Sequence, residues 1–208
     1  MALRTVRCKT HAVALEDFPE FIRENYELHE WRHASAILQA DFSDQCADIY
    51  DVLGRFRLLK SAIAVGGGRK SDVAGWIDSE FEKKGWAERH FDTKIVVDES
   101  EFKSPTHKVD CFKNRVALEI EWNNKDPFYD RDLNNFRLLF ELRTVSVGII
   151  ITRCDELQSV VAKLGRGESF GASTTHMSKL LPRIEGGGGG GCPIIVFGIT
   201  SKLYVEDC

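Results

Sequence analysis

The sequence predicts an α/β fold with a central mixed β-sheet flanked by helices. Three observations carry that prediction. Residues 115–122 alternate apolar and polar in the manner of a strand. Residues 145–152 and 193–200 are short apolar runs rich in β-branched side chains, as buried strands require. Between these runs, apolar residues recur at helical spacing: Leu133, Phe136, Leu139 and Phe140, then Leu157, Val160, Val161 and Leu164, then 177–184.

Size and charge bound the class. The chain has 208 residues, enough for a single domain spanning 1–208 that buries roughly 70 % of its unfolded surface without staples. Its apolar runs fall well short of the ~20 residues that cross a bilayer. Residues 1–10 carry Arg4, Arg7 and Lys9 with no apolar segment after them, unlike a secretory signal. Cys8, Cys46, Cys111, Cys154, Cys192 and Cys208 are scattered with no CxxC spacing, which points to reduced thiols in a cytoplasm and away from structural zinc. The net charge of −4 is unlike that of a dedicated nucleic-acid binder. It remains compatible with a metal-dependent nuclease, which needs carboxylates in its site and only a local basic groove.

The elements follow in order. Phe18, Phe21, Ile22 and Tyr26 sit at helical spacing, 31–40 reads as a strand, and Asp44 is placed to cap a helix carrying Ile49, Leu53 and Phe56. The loop Gly66-Gly67-Gly68-Arg69-Lys70-Ser71 departs from a P-loop because Arg69 stands where glycine should precede lysine; a basic loop or a phosphate contact remains. Asp72 opens a helix that Gly85 ends, with Val73, Trp76, Ile77 and Phe81 inward and Glu80 leaning onto that face.

The informative segment is 108–122. Val116, Leu118, Ile120 and Trp122 share one face; Ala117, Glu119 and Glu121 share the other. A two-residue turn at Lys113-Asn114 predicts a hairpin in which Asp110 faces Ala117 and lies diagonal to Glu119. Asp110, Glu119 and Glu121 then project together, at diagonal separations of ~7–8 Å. Carboxylates so grouped repel unless a cation lies between them, and oxygen ligands suit Mg²⁺. An ordinary strand with a solvated acidic side is the plainer alternative.

The flanks add a resemblance. Asp110, eight residues, then Glu119-Ile120-Glu121 resembles the PD-(D/E)xK nuclease core. Lys83-Lys84-Gly85-Trp86 followed by 113–121 resembles the BglII/BstYI group of type II restriction endonucleases, relatives of BamHI, and the likeness continues through 132–151 and 193–199. It implies a restriction-endonuclease-like core with Asp110 and Glu119 as metal ligands. The third core position is usually Lys, Gln in the BglII/BstYI group and Glu in BamHI; Glu121 matches the last. A further acidic residue comes from the preceding helix in BamHI, which points to Glu80, with Glu82 second. The implied activity is Mg²⁺-dependent hydrolysis of duplex DNA at a short palindrome, with a GATC core in relatives, leaving 5′-phosphates. Mn²⁺ is the expected substitute. The implied setting is a restriction-modification system of a prokaryotic cytoplasm, and the implied assembly a homodimer.

DNA contacts are sought near the catalytic strand. Asn123, Asn124 and Lys125 follow it directly: amides pair with base edges, lysine neutralises phosphate, and a polar turn is the bland alternative. Arg131, Asn134 and Arg137 lie off the apolar stripe of 132–142, facing DNA or water. Ser173, Thr174 and Thr175 are base-contact candidates or caps of the helix at 177–184, and Arg183 is a further candidate. His176 has no Ser or Cys nucleophile beside it and reads as a structural residue before a general base. The six glycines at 186–191 read as a flexible connection. Two other functions remain open from sequence: a repair or recombination nuclease without sharp sequence preference, and a DNA-binding module that has lost catalysis.

Overall fold

The computed structural model describes residues 18–64, 71–104 and 106–207. Its elements are α1 (Glu20–Asn25), β1 (Tyr26–Trp31), α2 (Ala34–Asp41), α3 (Ser43–Arg55), β2 (Leu58–Leu59), α4 (Lys60–Ala64), α5 (Asp72–Lys83), β3 (Ala87–Arg89), β4 (Thr93–Val97) and β5 (Ser100–Ser104). There follow β6 (Val109–Lys113), β7 (Val116–Glu121), α6 (Phe128–Glu141), β8 (Val147–Arg153), α7 (Leu157–Lys163), α8 (Met177–Glu185), β9 (Ile194–Ile199) and β10 (Tyr204–Val205). Six strands form one mixed sheet in the order β1-β9-β8-β7-β6-β3. Strands β7, β8 and β9 run parallel, while β1, β6 and β3 join antiparallel. This is the expected α/β architecture.

Helices cover both faces, which is why the parallel strands read as nearly unbroken apolar runs. On one face Leu118, Ile120, Trp122, Ile149, Ile151 and Phe197 pack with Ile49 and Leu53 of α3 and with Ile77 and Phe81 of α5. On the other, Ala117, Ile150 and Val196 pack with Leu133, Phe136 and Leu139 of α6 and with Leu180 and Ile184 of α8. Each fully buried Leu, Ile or Phe contributes roughly 1.5–3 kcal/mol. The stripe of α6 is therefore core. No helix among the described residues is long and apolar enough to cross a membrane.

Several local expectations need correction. The strand expected over 31–40 ends at Trp31, the last residue of β1. Arg32 and His33, both left-handed at φ 58° and 56°, then turn the chain into α2, whose buried Ala34, Ser35 and Leu38 follow helical spacing. Glu30 accepts the Ser35 backbone N–H at 2.8 Å and so stabilises that helix start. Helix α6 begins at Phe128, behind Pro127, and not at Asp132; a proline suits a first turn that has no partner for its N–H. Helix α7 starts at Leu157, the first of the apolar positions at helical spacing. Ser173, Thr174 and Thr175 do not cap α8. Asp155 does that work by accepting the Ser178 N–H at 3.0 Å and its hydroxyl at 2.6 Å. The opening of α5 at Asp72 stands, with Ser71 as its cap and Gly85 beyond its end at φ 82°. Of the basic glycine loop, residues 66–70 lie outside the described residues.

The glycine run at 186–191 is a packed turn and not a flexible link. Gly187 and Gly190 hold φ of 88° and 57°. A Cβ at Gly189 would stand 2.5 Å from Ile194, and one at Gly190 would stand 2.6 Å from Arg137. Glycine is needed here both for handedness and for space.

The β6–β7 hairpin also departs from its expected register. Cys111 pairs with Leu118, Phe112 with Ala117 and Lys113 with Val116. The turn is Asn114-Arg115, both at positive φ (44° and 67°), as a tight two-residue hairpin demands. The slip relative to the expected pairing is two residues. Because side chains alternate with period two, the acidic side chains keep their common face.

Candidate active site

The observed register, carried one step beyond Cys111–Leu118, sets Asp110 opposite Glu119 and not diagonal to it. Two bonds lock the pair: Asp110 N–H donates to Glu119 Oε2 at 3.3 Å, and Ile120 N–H donates to Asp110 Oδ2 at 3.0 Å. Glu119 and Glu121 are both buried, and Asp110 is half-buried. Burial pushes the Asp110 carboxyl upward; the Ile120 N–H opposes this, while Asp132 and Asp78 add to it. Burial likewise raises Glu119, relieved by His107 and reinforced by Asp132 and Asp110. Glu121 is raised by burial first and then by Asp132.

The opposing charge comes from two residues outside the hairpin. Arg131, on α6, places Nη2 2.9 Å from Asp132 Oδ1 and 3.6 Å from Glu121 Oε1, and stacks 4.3 Å over the Phe128 ring. His107 Nε2 lies 3.1 Å from Asp132 Oδ1 and 3.3 Å from Glu119 Oε1. Burial would lower this imidazole, but Asp132 and Glu119 lift it to about 9. The distances are those of hydrogen bonds and the angles are not: His107 Nε2, Glu119 Oε1 and Asp132 Oδ2 are all buried without a hydrogen bond. One ligand atom from each of His107, Glu119 and Asp132 lies within 4.8 Å of the others. Unsatisfied carboxylate oxygens packed this closely fit a divalent cation.

Not every expected residue joins this centre. Glu80 sits on the inner side of α5 as expected, but its oxygens are held by Arg55 (2.6 Å) and Lys83, which keep its carboxyl below the usual range. Asp78, earlier on α5, instead accepts from Cys111 Sγ at 3.4 Å and acts electrostatically on Asp110. His107, Asp132 and Asp78 were missed by sequence reasoning. Asp132 left a signal, since it shares the stripe of Tyr129, Phe136 and Leu139, where a carboxylate is out of place. His107 left none.

Of the expected DNA-contact residues, Asn123, Asn124, Lys125, Ser173, Thr174 and Thr175 lie on two adjoining loops, the first directly after β7, while Arg131 is on α6 and Arg183 on α8. Lys125 bridges Thr174, Asp126 N–H donates to Ser173 O at 3.0 Å, and Asn124 N–H donates to Thr175 Oγ1 at 3.0 Å. Asn124 Nδ2 also donates to Glu121 Oε2 at 2.9 Å, and Asn123 Nδ2 to Ser169 O at 2.9 Å. Thr174 and Thr175 are buried, their hydroxyls engaged by Arg153 and by the Glu121 carbonyl. Lys125, Arg131 and Ser173 are exposed. Arg183 is tied to Asp130 at 2.9 Å. His176 pairs with Asp155 at 2.7 Å, the arrangement of a structural residue.

Residues 26–199 match the family model described as restriction endonuclease BglII/BglIII. The chain belongs to this family. It is accordingly a type II restriction endonuclease, a hydrolase of duplex DNA. The match takes in every strand of the six-stranded sheet, with the acidic hairpin inside it. No curated protein matches the chain in the same way. Members of such families generally need a divalent metal, and the buried, unsatisfied carboxylates beside Asp110 suit that need.

Proposed function

We propose that this BglII-family enzyme cuts both strands of a short palindrome as a homodimer, with Mg²⁺ as its natural cation and Mn²⁺ as a substitute, and leaves 5′-phosphates. A GATC core belongs to the same reading through the likeness to relatives. One two-fold protein axis on a palindromic site supplies one cut per strand. The observation that carries the reading is the opposed pair Asp110 and Glu119 on a hairpin inside the matched stretch.

Asp110 and Glu119 would hold the cation. Bound there, it supplies positive charge beside the phosphoryl oxygens and makes water a better nucleophile near neutral pH. The protein's own groups do the rest. Glu121 is placed to take the proton of the attacking water in its ionised form, which burial and Asp132 disfavour and a cation beside it would favour. Asn124 holds Glu121 Oε2 in place at 2.9 Å. The water oxygen bonds to phosphorus, the bond to the 3′ oxygen breaks, and that oxygen takes a proton from solvent. Lys125 and Arg131 face solvent beside this centre and serve phosphate contact. Asn123, Asn124 and Ser173 are the candidates for base contact; Thr174 and Thr175 brace the loop that presents them, and Arg183 steadies the start of α6 through Asp130. Glu80 is engaged by Arg55 and Lys83.

The test is digestion of a long, sequenced viral DNA by the purified protein with Mg²⁺ and with chelator. Discrete Mg²⁺-dependent fragments, whose ends give the site, are expected. A smear would favour a nuclease without sharp preference, and uncut but gel-shifted DNA a binding module.

A further inference from the structure

We propose that His107 and Asp132 form, with Glu119, a second cation site that takes a nitrogen-tolerant transition ion such as Mn²⁺, Co²⁺ or Zn²⁺ in preference to Mg²⁺. The inference rests on the reading that Asp110 and Glu119 hold the first cation, and makes Glu119 the carboxylate shared between them. Its two oxygens already divide the space: Oε2 accepts from the Asp110 N–H, while Oε1 faces His107 with no hydrogen bond.

Three observations support the site. First, every member contributes a buried polar atom without a hydrogen bond, namely His107 Nε2, Glu119 Oε1 and Asp132 Oδ2. Glu119 and Asp132 are both fully buried, at 0 % exposure, so water does not satisfy these oxygens from outside. His107 supplies charge to these carboxylates at 3.1–3.3 Å but no hydrogen bond to them. Arg131 takes Asp132 Oδ1 and leaves Oδ2 open. Second, the spacing is that of a ligand set. Atoms bound ~2.1 Å from one ion at 90–110° stand ~3.0–3.4 Å apart. His107 Nε2 is 3.3 Å from Glu119 Oε1 and 3.1 Å from Asp132 Oδ1, the oxygen that also accepts from Arg131, and one ligand atom of each of the three lies within 4.8 Å of the others. Third, there is a way in: a cavity of about 200 Å³, lined by Thr106, His107, Arg131, Asn134 and Asn135, opens beside the imidazole.

The donor set decides the ion. Mg²⁺ prefers oxygen ligands and keeps its waters, whereas an imidazole with two carboxylates favours the later first-row divalent ions. Mg²⁺ therefore prefers the Asp110 side of Glu119, and the His107 side discriminates against it.

The experiment uses the whole chain and Mn²⁺ alone, without DNA, read by paramagnetic resonance. A second Mn²⁺ per chain with coupling to a ligand nitrogen is expected, and excess Mg²⁺ displaces it last. His107→Gln should lose the nitrogen coupling and bind that ion at least about tenfold more weakly, with far-UV dichroism unchanged. Asp110→Asn should lose the other ion and keep the nitrogen signal. Absence of nitrogen coupling in the unmodified chain overturns the proposal without any variant, as does unaltered Mn²⁺ stoichiometry and affinity in His107→Gln. Mg²⁺-dependent cleavage that survived Asp110→Ala would instead overturn the assignment of the first cation, and would leave the nitrogen signal standing.

Discussion

Two hairpins follow one another in the chain and have opposite fates. The β4–β5 ribbon pairs Thr93 with Ser104 through Val97 with Ser100, and forms a two-stranded sheet of its own. Its Val96, Val97 and Phe102 are 63 %, 53 % and 57 % exposed. The β6–β7 hairpin is inserted between β3 and β8, and all six residues of β7 are buried. An isolated ribbon is marginal in water and has no neighbours to fix its side chains. An embedded strand has ladders on both sides and helices on both faces. Chemistry that needs carboxylates placed to within a fraction of an ångström belongs on the second kind. Embedding also sets the electrostatics, since burial is the largest cause raising Asp110, Glu119 and Glu121.

The contrast can be broken by measurement. Asp110→Ala should abolish cleavage while far-UV dichroism and DNA binding persist; cleavage at the unmodified rate would remove the metal role from the embedded hairpin. Glu121→Gln keeps the shape and the Asn124 contact but loses the proton acceptor. A fall of about 10²–10⁴-fold in single-turnover rate is expected, and an unchanged rate would hand proton transfer to another group. Leu118→Ala leaves a cavity beneath the site and should cost about 2–5 kcal/mol, a drop in Tm on the order of 5–15 °C. Phe102→Ser, at the matching level of the exposed ribbon, should stay within about 0.5 kcal/mol. Equal losses in these two variants would show that the ribbons are equally knit into the fold. Arg115→Gly relieves a left-handed residue in the β6–β7 turn, and should raise stability by less than about 1 kcal/mol in chemical denaturation; a fall would mean that the arginine side chain holds the turn.

Legibility in the sequence followed the same divide. The embedded strands announced themselves, because burial on one or both faces imposes a pattern on side chains: 115–122, 145–152 and 193–200 were each read from it. The register of the acidic hairpin was misread by two residues because Asn114-Arg115 lacks the glycine that marks such turns, yet the acidic face survived the error. The β4–β5 ribbon went unread, since a ribbon exposed on both sides is under no pressure to alternate. Tertiary pairing was equally hidden. Glu80 and Asp78 occupy the same helix, and only the partners Arg55 and Cys111 tell them apart. His107 reaches Glu119 and Asp132 across elements that no spacing connects.

The glycine run at 186–191 has a consequence for how this protein tolerates genetic change. A stretch of one repeated residue looks like a place where length can drift. Here several positions are individually fitted, Gly188 against the Arg183 carbonyl, Gly189 against Ile194 and Gly190 against Arg137, while Gly187 is set by its left-handed φ of 88°. Gaining or losing one glycine would shift every later fit by a residue and misalign the entry into β9, the central partner of β1 and β8. Identity and number are both constrained in this segment, so an alteration of count, which leaves composition almost untouched, should destabilise the sheet through the register of β9.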